Sequence, residues 1–351
     1  MNGDSLKLTI YYGERDRADG GFLADALADL FARHQLQISL VIRGIAGFGV
    51  KQQMRTDRLL SLSEDLPLVS VAVDTRPRIQ AALTDIDALR FDGLVTLERA
   101  RMPAGPLAAF ELPEDLHEAT KLTIYVGRNQ RAGSRPAYEA VVDVLHRHGV
   151  AGATVLLGVD GTTHGARQRA RFFASNADVP LMVISVGEGQ QIAAALPELD
   201  RMLPRPIATL ERVRICKRDG QRIALPRELP ETDASGLQVW QKLMVYASEQ
   251  SRTNGGPLYT ELLRRLREAG AAGATTLRGI WGYHGGHPPH GDAPWQLRRR
   301  VPVVTVLVDT PARIRELFTI VDEITAETGL VTSEVVPAHR AGGLRLAVPL
   351  R

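Results

Sequence analysis

The chain has 351 residues and a mass of 38.3 kDa, enough for two or three domains that each bury a core. Its 44% hydrophobic and 24% charged residues are the balance of a soluble globular protein, and no apolar run reaches the roughly eighteen residues a membrane helix needs. The formal charge of +3, with a pI near 9.1, is too weak an excess to indicate nucleic acid.

The start, Met1-Asn-Gly-Asp, lacks the basic-then-apolar order of a secretion signal, so a cytoplasmic location is expected. The single cysteine, Cys216, can form neither a disulfide framework nor a paired-cysteine metal site. Its alternating surroundings give it a structural role.

The first predicted element is a strand, Lys7-Leu-Thr-Ile-Tyr-Tyr-Gly13, rich in β-branched and aromatic residues. A polar turn follows, then a helix from Phe22 to His34 in which Leu23, Ala26, Leu27, Leu30 and Phe31 share one face. The second strand ends in Arg43-Gly-Ile-Ala-Gly-Phe-Gly49. Leu66 to Asp74 is nearly continuous in apolar residues, which suits a central strand with its proline at the start. A second helix around Ile79 and a fourth strand, Leu94-Val-Thr-Leu-Glu98, complete the series.

The series then recurs twice, beginning at Lys121-Leu-Thr-Ile-Tyr and Lys242-Leu-Met-Val-Tyr. Lys7 to Arg43, Lys121 to Leu157 and Lys242 to Arg278 are the same thirty-six positions apart, a register that chance would not keep. Fourth strands end at Glu211 and Glu334 as the first does at Glu98. Each unit therefore reads β-α-β-β-α-β, the split βαβ arrangement of a ferredoxin-like fold, in the α+β class. Pro113 to Ala119 and Pro226 to Leu237 serve as linkers, giving units at 1–119, 120–238 and 239–351. After each fourth strand a tail beginning at Gly105, Gly220 or Gly342 is expected to add a short strand. Two helices cover only one face of such a sheet. Closure of the three sheets around a pseudo-threefold axis would cover the other.

Lys-Leu-Thr-Ile-Tyr, Arg-Gly-Ile-x-Gly-Phe/Tyr and Asp65-Leu-Pro-Leu-Val together resemble the PII-like family catalogued as domain of unknown function 190, three times over. The resemblance implies an intramolecular trimer with a signalling or regulatory role rather than catalysis. It implies a small anionic effector, with adenine nucleotides as candidates, in clefts between units. It also implies a protein partner, membrane-associated ones included, met by the long loop after each second strand. With three units in one chain, a monomer or weak dimer is expected.

The loops at about 49–64, 165–178 and 285–300 are long enough to be functional. Beside them, Gly44, Gly47 and Gly49 would let backbone N–H groups approach an anion, with Arg43 or Lys51 pairing a phosphate. Copy three offers Arg278, Gly279, Gly282, Tyr283 and His284; copy two has Leu157 where the others have arginine. Phe48 completes the candidate set in copy one. The competing reading is that these glycines only relieve crowding. His284, His287, His290 and Asp292 could hold a metal, but a Pro- and Gly-rich loop fixes no ligand geometry. A metal-binding protein of the same build and a ligand-free scaffold are thus the alternatives, and no metal is assigned. Arg298 to Arg300 read as a basic edge. His34, His146 and His148 read as helix-capping residues, and Glu98, Glu211 and Glu334 as exposed strand edge or cleft contacts. No catalytic constellation recurs.

Overall fold

In the first repeat the pattern of β-branched and apolar residues forms β1 (Gly3–Gly13), β2 (Ile38–Phe48), β3 (Pro67–Thr75) and β4 (Leu94–Met102). Between them lie α1 (Leu23–Arg33) and α2 (Arg76–Ala88), which starts with a proline in its first turn. The second repeat gives β5 (Thr120–Gly127), α3 (Ala137–Arg147), β6 (Gly152–Thr163), β7 (Pro180–Gly187), α4 (Gly189–Met202) and β8 (Ile207–Arg212). The third gives β9 (Val239–Ser248), α5 (Leu258–Glu268), β10 (Ala274–His284), β11 (Pro302–Asp309), α6 (Pro311–Ile324) and β12 (Leu330–Ala341). This computed structural model describes residues 3–49, 52–56, 65–163, 166–169, 179–233, 238–291, 301–342 and 344–345. No α-helix among them is long and apolar enough to cross a membrane.

The molecule is a mixed α/β protein with six α-helices among the described residues and a large antiparallel sheet of 18 strands. Within each repeat the third strand separates the first from the second, and the fourth pairs the first on its other edge. In the first repeat β1 lies between β3 and β4, and β2 is outside β3. The other repeats keep that order.

The repeats are joined by their second strands. The start of β2 pairs the end of β6, the start of β6 pairs the end of β10, and the start of β10 pairs the end of β2. The tails repeat this hand-over. Leu107, in a 3₁₀ turn after β4, packs into the second repeat, where its N–H donates to Asp200 Oδ1 at 2.8 Å. The strand Arg214–Arg218 adds to β12, and the end of β12 adds to β4.

Four hydrophobic clusters follow from this arrangement. Three lie between a repeat's helices and its sheet. The fourth joins the opposite faces of all three sheets, with Leu40 and Val71, Leu156 and Ile184, Met244 and Val306 in one continuous core. That face of each sheet, which its own helices leave bare, is therefore dry. Cys216 is buried in the third repeat's core, and burial pushes its thiol up to about 12, which fits a structural residue.

Several expectations need correction. The polar turns after the first strands contain two-residue ribbons, as at Arg17–Ala18 with Gly21–Phe22. The first tail is a 3₁₀ turn (Leu107–Ala109), not a strand, because it docks by side chain onto α4 rather than by backbone onto a sheet edge. The second strands do end in the glycine motif as expected, running through its glycines to Phe48, Thr163 and His284. Most of the expected long loops, including Lys51, Asp292 and Arg298 to Arg300, lies outside the described residues. What is described of them folds back on the second strand: Arg55–Thr56 on Ala46 and Gly47, Ala166–Arg169 on Asp160 to Thr163, and His290–Gly291 on Trp281 and Gly282.

Candidate functional site

The glycines of the repeated motif sit in strands crossing from one repeat to the next. A Cβ on Gly44 would lie 2.8 Å from Pro67 Cγ and 3.1 Å from the Thr276 carbonyl oxygen; on Gly47 it would lie 2.7 Å from that of Ala274. In the third repeat a Cβ on Gly279 would meet Pro302 and Thr154, and on Gly282 the Ala153 carbonyl oxygen at 2.2 Å. Each of these four glycines thus admits a neighbouring repeat's backbone or side chain. Of the five candidate glycines Gly44, Gly47, Gly49, Gly279 and Gly282, Gly49 alone has nothing near an added Cβ.

The residue after the second glycine is an anchor. Phe48 enters the core of the third repeat, and Tyr283 that of the second. Tyr283 is 1% exposed; its hydroxyl donates to the Val150 carbonyl at 2.9 Å, and its ring meets His146 edge-on. The matching residue of the second repeat is Thr162, whose hydroxyl lies 2.6 Å from that of Ser39. Nearby, Arg167 bonds Asp160 at 2.6 Å and reaches Asp25 and Asp29 on α1. The divergence visible at Leu157 therefore marks a boundary held by polar contacts where the other two use aromatic rings.

Arg43 is half exposed and pairs with Glu14 at 2.9 Å; Arg278 pairs with Glu249 at 2.6 Å. His284 is buried, which lowers its pKa, and its ring meets His287 edge-on. His290 Nδ1 lies 3.0 Å from the Pro288 carbonyl. His34 and His148 stand at the C-terminal ends of α1 and α3, where their backbone N–H groups bond helix carbonyls and their rings lie 2.8 Å from Asp85 and 3.0 Å from Glu198. His146 is in the last turn of α3.

Of the predicted residues, Phe48 and Gly49 line a cleft between the first and third repeats. Its walls are Tyr11, Tyr12, Pro67 and Trp240, its floor includes Gly273 to Thr275, and its volume is about 110 Å³. Arg55, which sequence reading passed over, also lines it and pairs with Asp65 at 2.9 Å.

The main residues missed in the sequence are the three lysines that open the repeats. Lys7 faces Glu98 across its own sheet, as Lys121 faces Glu211 and Lys242 faces Glu334. All six are buried where the repeats meet. Each ammonium also reaches the carboxylate of the next repeat: Lys7 to Glu211 at 3.0 Å, Lys121 to Glu334, and Lys242 to Glu98 at 2.6 Å. The glutamates are thus not an exposed edge but buried contacts between repeats. Three carboxylates converging this closely would suit a cation, and the lysines supply that charge.

Burial opposes the charge on Glu98, but Lys242, Lys7 and Lys121 outweigh it and hold its pKa well below the ordinary range. Burial likewise opposes the charge on Lys121, yet Glu211, Glu334 and Glu98 hold its pKa well above the usual value. For Lys7 burial prevails and the pKa falls. The signal in the sequence was the recurrence of one lysine and one glutamate at matched positions three times.

Against known proteins, the model of DUF190 (Uncharacterized ACR, COG1993) matches residues 5–102, 119–215 and 240–338. A "UPF0166 protein" of Aquifex aeolicus (strain VF5) is 35% identical over 95 residues, 27% of this chain and 88% of that protein, about one repeat. A crystal structure of aspartate kinase from Synechocystis aligns over 96% of this chain and 52% of its own length, at 13% identity and a TM-score of 0.24, and carries no argument about fold or activity. The chain spans about half of that structure. With three matches that together take in most of its length, the chain belongs to the DUF190 family.

Proposed function

We propose that the three repeats are ferredoxin-like, PII-like units forming an intramolecular pseudo-trimer, which binds a small anionic effector between units and signals to a partner protein without catalysing a reaction. The carrying observation is the aromatic cleft between the first and third repeats. Tyr11, Tyr12, Phe48 and Trp240 line it together with Arg55, whose guanidinium pairs with Asp65. A planar base beside a phosphate, as in an adenine nucleotide, matches that pairing of apolar wall and cation. The cyclic hand-over of second strands supports the pseudo-trimer, since it uses every such edge within one chain. The chain should accordingly run as a monomer or weak dimer in light scattering; a stable three-chain assembly would overturn the pseudo-trimer.

Calorimetry with adenine nucleotides tests the effector. Arg55→Ala, which removes the cleft's cation, should cost about 1.5–3 kcal/mol, or about tenfold or more in affinity, and a comparable loss in Arg43→Ala or Arg278→Ala would instead place the anion beside the glycine strands. Leu157→Ala should leave affinity unchanged. Equal affinity in wild type, Arg43→Ala and Arg278→Ala would leave those two arginines as partners of Glu14 and Glu249 only. Absence of nucleotide binding altogether would favour a ligand-free scaffold, which the crowded glycines Gly44, Gly47, Gly279 and Gly282 also fit.

A further inference from the structure

A cavity of about 740 Å³ opens over the buried lysine–glutamate cluster, where the fourth strands of all three repeats converge. Six arginines line it, against Asp115 and Asp233 and the three glutamates already matched by lysines. Arg101 pairs with Asp115 at 2.9 Å and Arg227 with Glu118 at 3.3 Å. Arg99 and Arg212 are exposed and form no ion pair among the described residues. Arg214 Nε is buried with no hydrogen-bond partner among them. Arg227 is pulled down in pKa by burial and by Arg212 and Arg214, so positive charge is crowded here rather than balanced.

The fold does not require this. Arg99, Arg212 and Val335 directly follow the three equivalent glutamates, and Arg101, Arg214 and Pro337 occupy the next equivalent set. The third repeat builds the same strand with an exposed valine and a proline. The arginines of the first two repeats are thus additions to the architecture.

From this juxtaposition we propose that the axial cavity binds a small multivalent oxyanion, such as an oligophosphate, held by Arg99, Arg212, Arg214 and Arg227. Guanidinium forks bond phosphate oxygens in pairs, and several converging forks favour a ligand bearing more than one anionic group. This site is separate from the aromatic cleft and does not depend on it.

The test is titration of the full chain with inorganic tripolyphosphate and, separately, orthophosphate, at low ionic strength. Tripolyphosphate should bind at a single site per chain, at least about tenfold tighter than orthophosphate, and weaken as salt is added. Arg99→Gln and Arg212→Gln should each weaken it by about tenfold or more. Both residues are exposed, and unchanged melting of the variants without ligand would show the fold intact. Val335→Arg, which supplies the third repeat with the missing cation, should tighten binding severalfold. No binding by the wild type, or equal affinity in the Arg99 and Arg212 variants, would overturn the proposal. So would loss of tripolyphosphate binding in Arg43→Ala or Arg278→Ala with none in Arg99→Gln or Arg212→Gln, because the anion would then lie by the glycine strands.

Discussion

Replacing Lys121 by methionine should destabilise the protein by about 3–5 kcal/mol, the usual cost of leaving a buried charge without its partner. Lys121 is 1% exposed and meets Glu98, Glu211 and Glu334 together, so its loss leaves Lys7 and Lys242 to match three buried carboxylates. Denaturant unfolding reads the cost directly. The pH dependence separates lost charge from lost packing. Without the ammonium one buried carboxyl of the cluster is unmatched, and burial raises the pKa of such a group above the unfolded value. Such a group favours the folded state at low pH, and that contribution is lost as pH rises through the folded pKa. The variant should therefore gain stability as pH is lowered from about 8 towards about 5. The wild-type Glu98, held below its ordinary pKa, should show no gain over that range. A loss below about 1 kcal/mol, independent of pH, would mean the cluster does little to hold the repeats together.

Gly161→Ala should be nearly as damaging, and for a purely steric reason. Its Cβ would lie 2.3 Å from the Ser39 carbonyl oxygen and 2.7 Å from Pro180 Cγ, trapped between the first repeat's backbone and a ring of its own repeat. Neither is the end of a flexible side chain, so the two second strands must separate, at about 1–3 kcal/mol or more. Gly49→Ala, with open space and no left-handed backbone, should change stability by less than about 0.5 kcal/mol. Thermal melting of both variants makes the comparison. Equal melting temperatures would show that the boundary between the first two repeats yields freely.

The boundaries between repeats are chemically unequal although their strand pairing is alike. Phe48 and Tyr283 fasten two of them by aromatic burial; Thr162 and Arg167 fasten the third by hydrogen bonds and ion pairs. The aromatic cleft lies at one of the two aromatic boundaries, and the six arginines of the cavity over the lysine–glutamate cluster all come from the first two repeats. A chain of three fused copies can vary each copy alone, which three identical subunits cannot do.

The order of residues is enough to specify the repeat, the succession of elements within it and the faces of its helices. Those depend on residues near one another in the chain: the spacing of Leu23, Leu27, Leu30 and Phe31, or the apolar run from Leu66 to Val73. It also exposed the divergence of the second copy at Leu157. What the repeated charges and glycines do emerges from contacts between repeats. Lys7 and Glu211 are 204 positions apart, and a lysine or glutamate near a strand end ordinarily faces water, so local pattern points the wrong way for the axial cluster. Whether Gly44 and Gly47 cradle an anion or admit a neighbouring strand likewise depends on a backbone more than two hundred residues away, at Ala274 and Thr276. The second strands run on through their glycines because another repeat supplies the pairing partner. A strand edge is completed by whatever the ring of repeats brings alongside it, and periodicity within one repeat holds no record of that neighbour.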